Sequence, residues 1–206
     1  MPLATPSKIV CVGRNYRAHA AELGNPVPAE PLLFFKPPSA LVSGGVPIRL
    51  PAQSARVEHE AEIGLVIGRR LSAASADECL ASVSHVLALN DVTARDLQRS
   101  DTLWTRAKGF DTFCPVGEPV PVAELDLEAL EVIARVNGEV RQHGWARDMV
   151  FGPGVLLAAI SSVMTLEPGD LIATGTPEGV GPLVAGDVVE VEIPGVGTVR
   201  NPVVSA

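Results

Sequence analysis

The chain has 206 residues, 47% hydrophobic and 19% charged, enough to bury one sizeable core and short of the ~250–300 residues at which cores divide, so one domain over 1–206 is expected and disorder is excluded as the main state. Sixteen Lys and Arg against 24 Asp and Glu give a net charge of −8, no apolar run nears the ~18 residues of a membrane span, and residues 1–6 lack a basic, apolar leader, so neither nucleic acid nor membrane is an expected partner and a cytoplasmic location is. Nineteen Gly and 18 Pro predict many turns and short strands, while Cys11, Cys79 and Cys114, widely spaced and without C-x-x-C, read as buried thiols.

Residues 8–12 form a short apolar stretch ending at Gly13, and 32–35 another, bounded by Pro31 and Pro37-Pro38; both predict strands. Between them, 15–23 is rich in helix formers and stops at Gly24, which predicts a short helix with His19 and Glu22 on one face. Residues 57–67 alternate, with Val57, His59, Ala61, Ile63, Leu65 and Ile67 on one side and Glu58, Glu60, Glu62, Gly64 and Val66 on the other. This predicts a strand with a carboxylate-bearing face. Ser75 suits the cap of a helix over 76–83, followed by the apolar run 86–89, read as a buried strand, and then Asn90-Asp91. Asn137-Gly138 between 132–136 and 139–141 is the strongest hairpin signal, fitting a type I′ turn. A helix is predicted over 154–164 and strands from 171 onward. Pro168-Gly169-Asp170 and Ala185-Gly186-Asp187 share a turn-then-strand pattern that suggests successive hairpins. The expected fold class is mainly β with short helices.

Glu60 and Glu62 at i and i+2 point the same way and repel unless a cation lies between them; a solvated outer strand face is the competing reading. Asp91 leaves the end of a buried run, where charges are paired or bind metal. Three carboxylates without a Cys partner form a hard oxygen set suited to Mg²⁺ or Mn²⁺, with Ca²⁺ as a further candidate. His19 and Glu22 offer a general-base dyad, the carboxylate orienting the imidazole, against the alternative of an exposed i, i+3 pair. His59, on the apolar face, reads as a hydrogen-bonded core residue. Lys108, and Arg95 with Gln98, are donors near the acids in sequence, with plain surface charge as the alternative. The stretch 174–181, Thr-Gly-Thr-Pro-Glu-Gly-Val-Gly, suits either an anion nest or an ordinary turn. Walker, dinucleotide-binding and G-x-S-x-G patterns are absent from the sequence.

Taken together, residues 13–22 (GRNYRAHAAE), 59–64 (HEAEIG), 90–98 (NDVTARDLQ), 108–115 (KGFDTFCP) and 174–177 (TGTP) resemble the fumarylacetoacetate hydrolase family, most of all its short acylpyruvase-type members. The pieces occur in the family's order and span nearly the whole chain. The resemblance implies a mixed β-sandwich roll, usually a homodimer, acting on a small oxo or dioxo acid. It implies Glu60, Glu62 and Asp91 as metal ligands and His19, Glu22 and Lys108 as catalytic groups. Arg14, Tyr16, Arg95, Gln98, Thr174, Gly175 and Thr176 fall on the substrate side. The implied reaction is metal-assisted hydrolysis of a C–C bond in a 2,4-dioxo acid such as an acylpyruvate or fumarylpyruvate. Relatives that decarboxylate oxaloacetate or isomerise 2-hydroxyhepta-2,4-diene-1,7-dioate are the alternatives, as is a non-enzymatic domain stapled by metal. No acidic residue lies between Lys8 and Glu22, where fumarylacetoacetases carry a further metal ligand, which argues against fumarylacetoacetate as substrate. The chain begins almost at its first strand, so the N-terminal extension of longer relatives is not expected, and 14–30 is a candidate lid.

Overall fold

The computed structural model describes residues 4–123 and 125–206. Its centre is the strand Ala61–Ile67, buried at every position. No solvated face exists there, because the strand lies mid-sheet between Leu171–Ala173 and Val83–Asn90 and is covered on both sides. Ala61, Ile63, Leu65 and Ile67 enter one core; Val66 enters another with Ile9, Cys11, Leu87 and Leu89. Both alternating sets are therefore apolar-facing, and the carboxylates on the second set are buried with them.

The large sheet has eight strands, with Leu32–Lys36 and Leu41–Ser43 at its ends. It is mixed: Ile9–Gly13 runs parallel to Leu171–Ala173 and antiparallel to Leu32–Lys36. A five-stranded sheet runs in the order Glu139–Trp145, Glu131–Val136, Val188–Ile193, Gly197–Ser205, Ile48–Leu50. Val132, Ala134, Val191, Ile193 and Val199 from it share the first core, so the two sheets pack face to face as a mixed β-sandwich roll. A small three-stranded sheet of Val57–His59, Thr93–Ala94 and Gly181–Pro182 completes the roll.

Local chemistry explains the element ends. Asn137 and Gly138 both have positive φ, 54° and 84°, the type I′ geometry the dipeptide predicts. Ser75 caps its helix through a reciprocal capping box with Glu78, but that helix stops at Leu80 rather than 83, because Val83 already enters the central sheet. The predicted strand 57–67 is two strands broken at Glu60. The turn at 168–170 does not lead into a hairpin, since Leu171–Ala173 pairs with Ile9–Gly13 and Ala61–Ile67; only the later strands, Val188–Ile193 and Gly197–Ser205, pair as neighbours. The helices Arg95–Ser100 and Thr105–Lys108 lacked a periodic signal, being six and four residues long. The three cysteines are free and buried, and no helix among the described residues is long and apolar enough to cross a membrane.

Gly179 has φ +94°, and a Cβ there would sit 2.0 Å from the Arg141 carbonyl oxygen. Gly186 has φ +99° with open space around it. Gly179→Ala should therefore lower unfolding free energy by about 2 kcal/mol or more, and Gly186→Ala by only about 1 kcal/mol. Denaturant titration checks this, and equal losses would mean that backbone crowding at 179 is relieved elsewhere.

Candidate active site

The break at Glu60 is what assembles the site. Glu60 N–H donates to Asn90 Oδ1 (3.0 Å), and Asp91 N–H donates to the Glu60 carbonyl (2.8 Å). The first acid is thus locked beside the residue pair that ends Val83–Asn90, while Glu62 lies two residues further along the adjoining strand. Carboxylate oxygens of Glu60, Glu62 and Asp91 all lie within 4.8 Å of one another, and the residues are 4%, 1% and 0% exposed. A solvated strand face is excluded.

Burial at this density demands counter-charge. Lys108 Nζ donates to Glu60 Oε2 (2.8 Å) and Asp91 Oδ2 (2.5 Å). Arg95 donates through Nε to Glu58 Oε2 (2.6 Å), through Nη2 to Glu60 Oε1 (2.5 Å) and through Nη1 to Gln98 Oε1 (2.5 Å). Lys36 Nζ takes the remaining Asp91 oxygen, Oδ1 (2.6 Å), and the Val92 carbonyl (2.9 Å). Arg95, Lys36 and Lys108 are each 1% exposed, so surface charge does not describe them. Burial alone would raise the Glu60 carboxyl, but Lys108 and Arg95 overcome it and hold the group far below the usual carboxylate range. Burial likewise opposes the Lys108 ammonium, yet Asp91 and Glu60 raise it above an ordinary lysine. Glu62 goes the other way: burial, then Asp91 and Glu60, push it well above the usual range. Glu62 Oε2 accepts from a backbone amide, Gly175 N–H at 2.8 Å. An all-oxygen donor set that is short of positive charge at Glu62 fits a hard divalent cation.

Behind the triad, Gly175 has φ +102°, and a Cβ would meet that of Asn15 at 2.7 Å, so only glycine presents this amide. The hydroxyls of Thr174 and Thr176 donate to the carbonyls of Ile63 (2.9 Å) and Ala61 (2.8 Å). The 174–176 turn therefore spends its donors on the central strand and on Glu62 instead of forming an open nest, and of the three residues Thr176 borders the cavity. His19, 4% exposed, places Nδ1 3.1 Å from Glu22 Oε2, and Glu22 Oε1 accepts from Gly179 N–H (3.0 Å). With a carboxylate on Nδ1, that nitrogen is the donor and Nε2 is left to exchange protons. Asn15 anchors the segment, donating to Thr174 and Phe151 carbonyls and accepting from Phe151 N–H.

These groups surround a cavity of ≈ 240 Å³ bordered by His19, Glu60, Glu62, Arg95, Gln98, Lys108, Thr176 and Arg14, with Phe34 and Trp104 as an apolar wall. Tyr16 is not brought to it: the ring packs in the main core, with its buried hydroxyl unpartnered among the described residues. Asp91 lies beneath the cavity floor, held by the two lysines. Sequence reasoning missed Lys36, Glu58, Asn15, Gln142 and Arg99. Lys36 was within reach, since it ends an apolar strand before a proline just as Asp91 ends one. Gln142 carries no such signal, yet its Oε1 accepts from Ala61 N–H (2.9 Å) and pairs with His59 Nδ1 (2.9 Å) while Nε2 donates to Thr176 Oγ1 (2.8 Å). His59 is thus the hydrogen-bonded core residue expected.

Residues 8–204 match the family described as fumarylacetoacetate (FAA) hydrolase, C-terminal. The chain belongs to the fumarylacetoacetate hydrolase family. Among relatives, it is 44% identical over 200 residues to a mitochondrial oxaloacetate decarboxylase of Dictyostelium discoideum, covering 94% of this chain and 92% of that protein. Among solved structures, it resembles a 2-hydroxyhepta-2,4-diene-1,7-dioate isomerase from Mycobacterium marinum, with TM-score 0.89, 48% identity and coverage of 98% and 75%. A fumarylpyruvate hydrolase from Pseudomonas aeruginosa, in complex with Mn²⁺ and pyruvate, is similar at TM-score 0.92, 29% identity and coverage of 98% and 91%.

Because folding raises the Glu62 pKa, the contribution of its protonated carboxyl is full below the ordinary carboxylate pKa and is lost as pH climbs through the raised value. A cation bound to this member of the fumarylacetoacetate hydrolase family must displace that proton, so its apparent affinity rises with pH. Millimolar Mg²⁺ or Mn²⁺ should raise Tm progressively more as pH increases, and Glu62→Gln should flatten the dependence. Thermal melts against EDTA decide it; a metal shift independent of pH would remove Glu62 from the ligand set.

Proposed function

We propose that this chain is a divalent-metal-dependent enzyme acting on a small 2-oxo acid, with decarboxylation of oxaloacetate as its reaction. One observation carries the reading: an imidazole held by a carboxylate borders the same cavity as Glu60 and Glu62, two of the three carboxylates of a triad fit for a metal. At ≈ 240 Å³, the cavity is below the ~300–1,000 Å³ of drug-sized sites, which favours a short acid. The likeness to a protein named oxaloacetate decarboxylase supports the choice.

Glu60, Glu62 and Asp91 would hold Mg²⁺ or Mn²⁺, which supplies Lewis acidity toward an oxo-acid head. The remaining steps fall to the chain's own side chains. As the bond between C3 and C4 breaks, CO₂ leaves and its electron pair becomes the C2–C3 enolate. Lys108, kept protonated by Asp91 and Glu60, offers its ammonium to the oxygen on which charge grows. His19, aligned by Glu22 and through it by Gly179, delivers the proton to C3 through Nε2. Phe34 and Trp104 exclude water from one side of the cavity.

The second reading, hydrolysis of a 2,4-dioxo acid, uses the same groups with His19 taking a proton from water, and the likeness to a fumarylpyruvate hydrolase favours it. Steady-state turnover of oxaloacetate and acetylpyruvate in Mg²⁺, Mn²⁺ and EDTA separates the two. Chelator-sensitive loss of CO₂ from oxaloacetate is expected, with acetylpyruvate the slower substrate; the reverse order assigns the hydrolase. His19→Ala should lower kcat by about 100-fold or more while the metal-induced rise in Tm stays. Retained turnover would remove His19 from the mechanism.

A further inference from the structure

The cations around the cavity fall into two sets. Arg95 and Lys108 are already paired with Glu58, Glu60, Asp91 and Gln98. Arg14 and Arg99 also border the cavity, and among the described residues neither guanidinium has a hydrogen-bond or ion-pair partner. The acids nearest Arg99 in sequence are already engaged. Asp96 accepts from Ser54 Oγ and Ala55 N–H, and Asp101 takes both Nε and Nη2 of Arg106.

Placement on the helix Arg95–Ser100 gives these groups depth. Arg95, Gln98 and Arg99 stand at i, i+3 and i+4, hence on one face. Arg95 is buried, Gln98 half-buried and Arg99 exposed. One face therefore descends from the solvent end of the cavity to the carboxylates at its floor, over a rise of about 6 Å. We infer that Arg99, together with Arg14, binds a second carboxylate of the substrate, making this a site for dicarboxylic oxo acids in preference to monocarboxylic ones. The inference rests on the reading that an oxo-acid head sits at the triad. A guanidinium without an internal partner can give both parallel N–H donors to an incoming carboxylate, whereas all three nitrogens of Arg95 are already engaged by Glu58, Gln98 and Glu60.

The Arg99 contact also bears on the reaction. An ion pair to the distal carboxylate holds the group in its charged form, and that group must lose its charge to depart as CO₂. Arg99 therefore contributes to binding and resists the bond-breaking step, so its removal should raise KM without lowering kcat.

The test is calorimetric titration of the Mn²⁺-loaded protein with pyruvate and with 2-oxoglutarate, which present the same head with and without a second carboxylate. Wild type should prefer 2-oxoglutarate, and Arg99→Gln should weaken that ligand about five- to tenfold with pyruvate unchanged. Arg99→Lys should restore part of the loss. With oxaloacetate, Arg99→Gln should raise KM by a similar factor while kcat holds or rises. Equal effects on both ligands, or a fall in kcat at constant KM, would overturn the role of Arg99. Failure of pyruvate to bind the Mn²⁺-loaded wild type would overturn the oxo-acid reading beneath it, and with it this inference.

Discussion

The structure turns on the ammonium of Lys108, fixed between Glu60 and Asp91 in the interior of the roll. Taking each such ion out of water costs several kcal/mol, and the mutual attraction offsets that only if the geometry is tight and every remaining lone pair finds a donor. Here the requirement propagates. Satisfying the other oxygens of Glu60 and Asp91 calls in Arg95 and Lys36, and satisfying Arg95 calls in Glu58 and Gln98. Three carboxylates and three buried cations are thereby set in one register, and the strands and short helices that bear them are constrained along with them. Thr105–Lys108 is a single helical turn, too short to stand alone; it ends on the lysine whose ion pairs hold it.

The same logic ties His19 to the acids. Gly175 gives its backbone amide to Glu62, Gly179 gives its backbone amide to Glu22, and the Thr174 carbonyl accepts from the Asn15 side chain. One loop, 174–179, thus touches a triad ligand, the segment leading to His19 and the residue that orients His19. Backbone donors have no rotamers to lose, so they fix distances better than side chains would. The loop tolerates this only because glycines occupy its left-handed positions, where a Cβ would strike Asn15 or the Arg141 carbonyl.

Much of this was legible in the sequence, for identifiable reasons. The Asn137-Gly138 hairpin and the Ser75 capping box are local signals whose physics is complete within a few residues, and both are realised in the structure. Glu60, Glu62 and Asp91 drew notice because carboxylates on a strand and an acid after an apolar run are costly choices that need a cause, and the family resemblance grouped them. What escaped depends on which segments meet. Nothing in residues 57–67 says that both faces are covered, so Glu58 passed for solvent-facing and its pairing with Arg95 was invisible. Gln142 lies 81 residues from the amide it satisfies. The two small helices are held by ion pairs, not by amphipathic periodicity. Tyr16, which the family resemblance put on the substrate side, has its ring in the core.

The division between floor and mouth gives a physical account of how one architecture is found under several activity names. Every group at the floor is bound to another group at the floor, so changing one leaves an uncompensated buried charge and destabilises the rest. That half of the site can vary little, and it prescribes only the oxo-acid head and the enolate chemistry that follows. The solvent end is built differently. Gln98 is half-buried, Arg14 and Arg99 border open space, and neither arginine supports another side chain through a polar contact. Substitution there costs little stability but changes which tail is held and whether a second carboxylate is anchored or released. On the proposed reading, selectivity between losing CO₂, moving a proton and admitting water falls to residues the fold does not need, while the chemistry common to all three rests on residues it cannot do without.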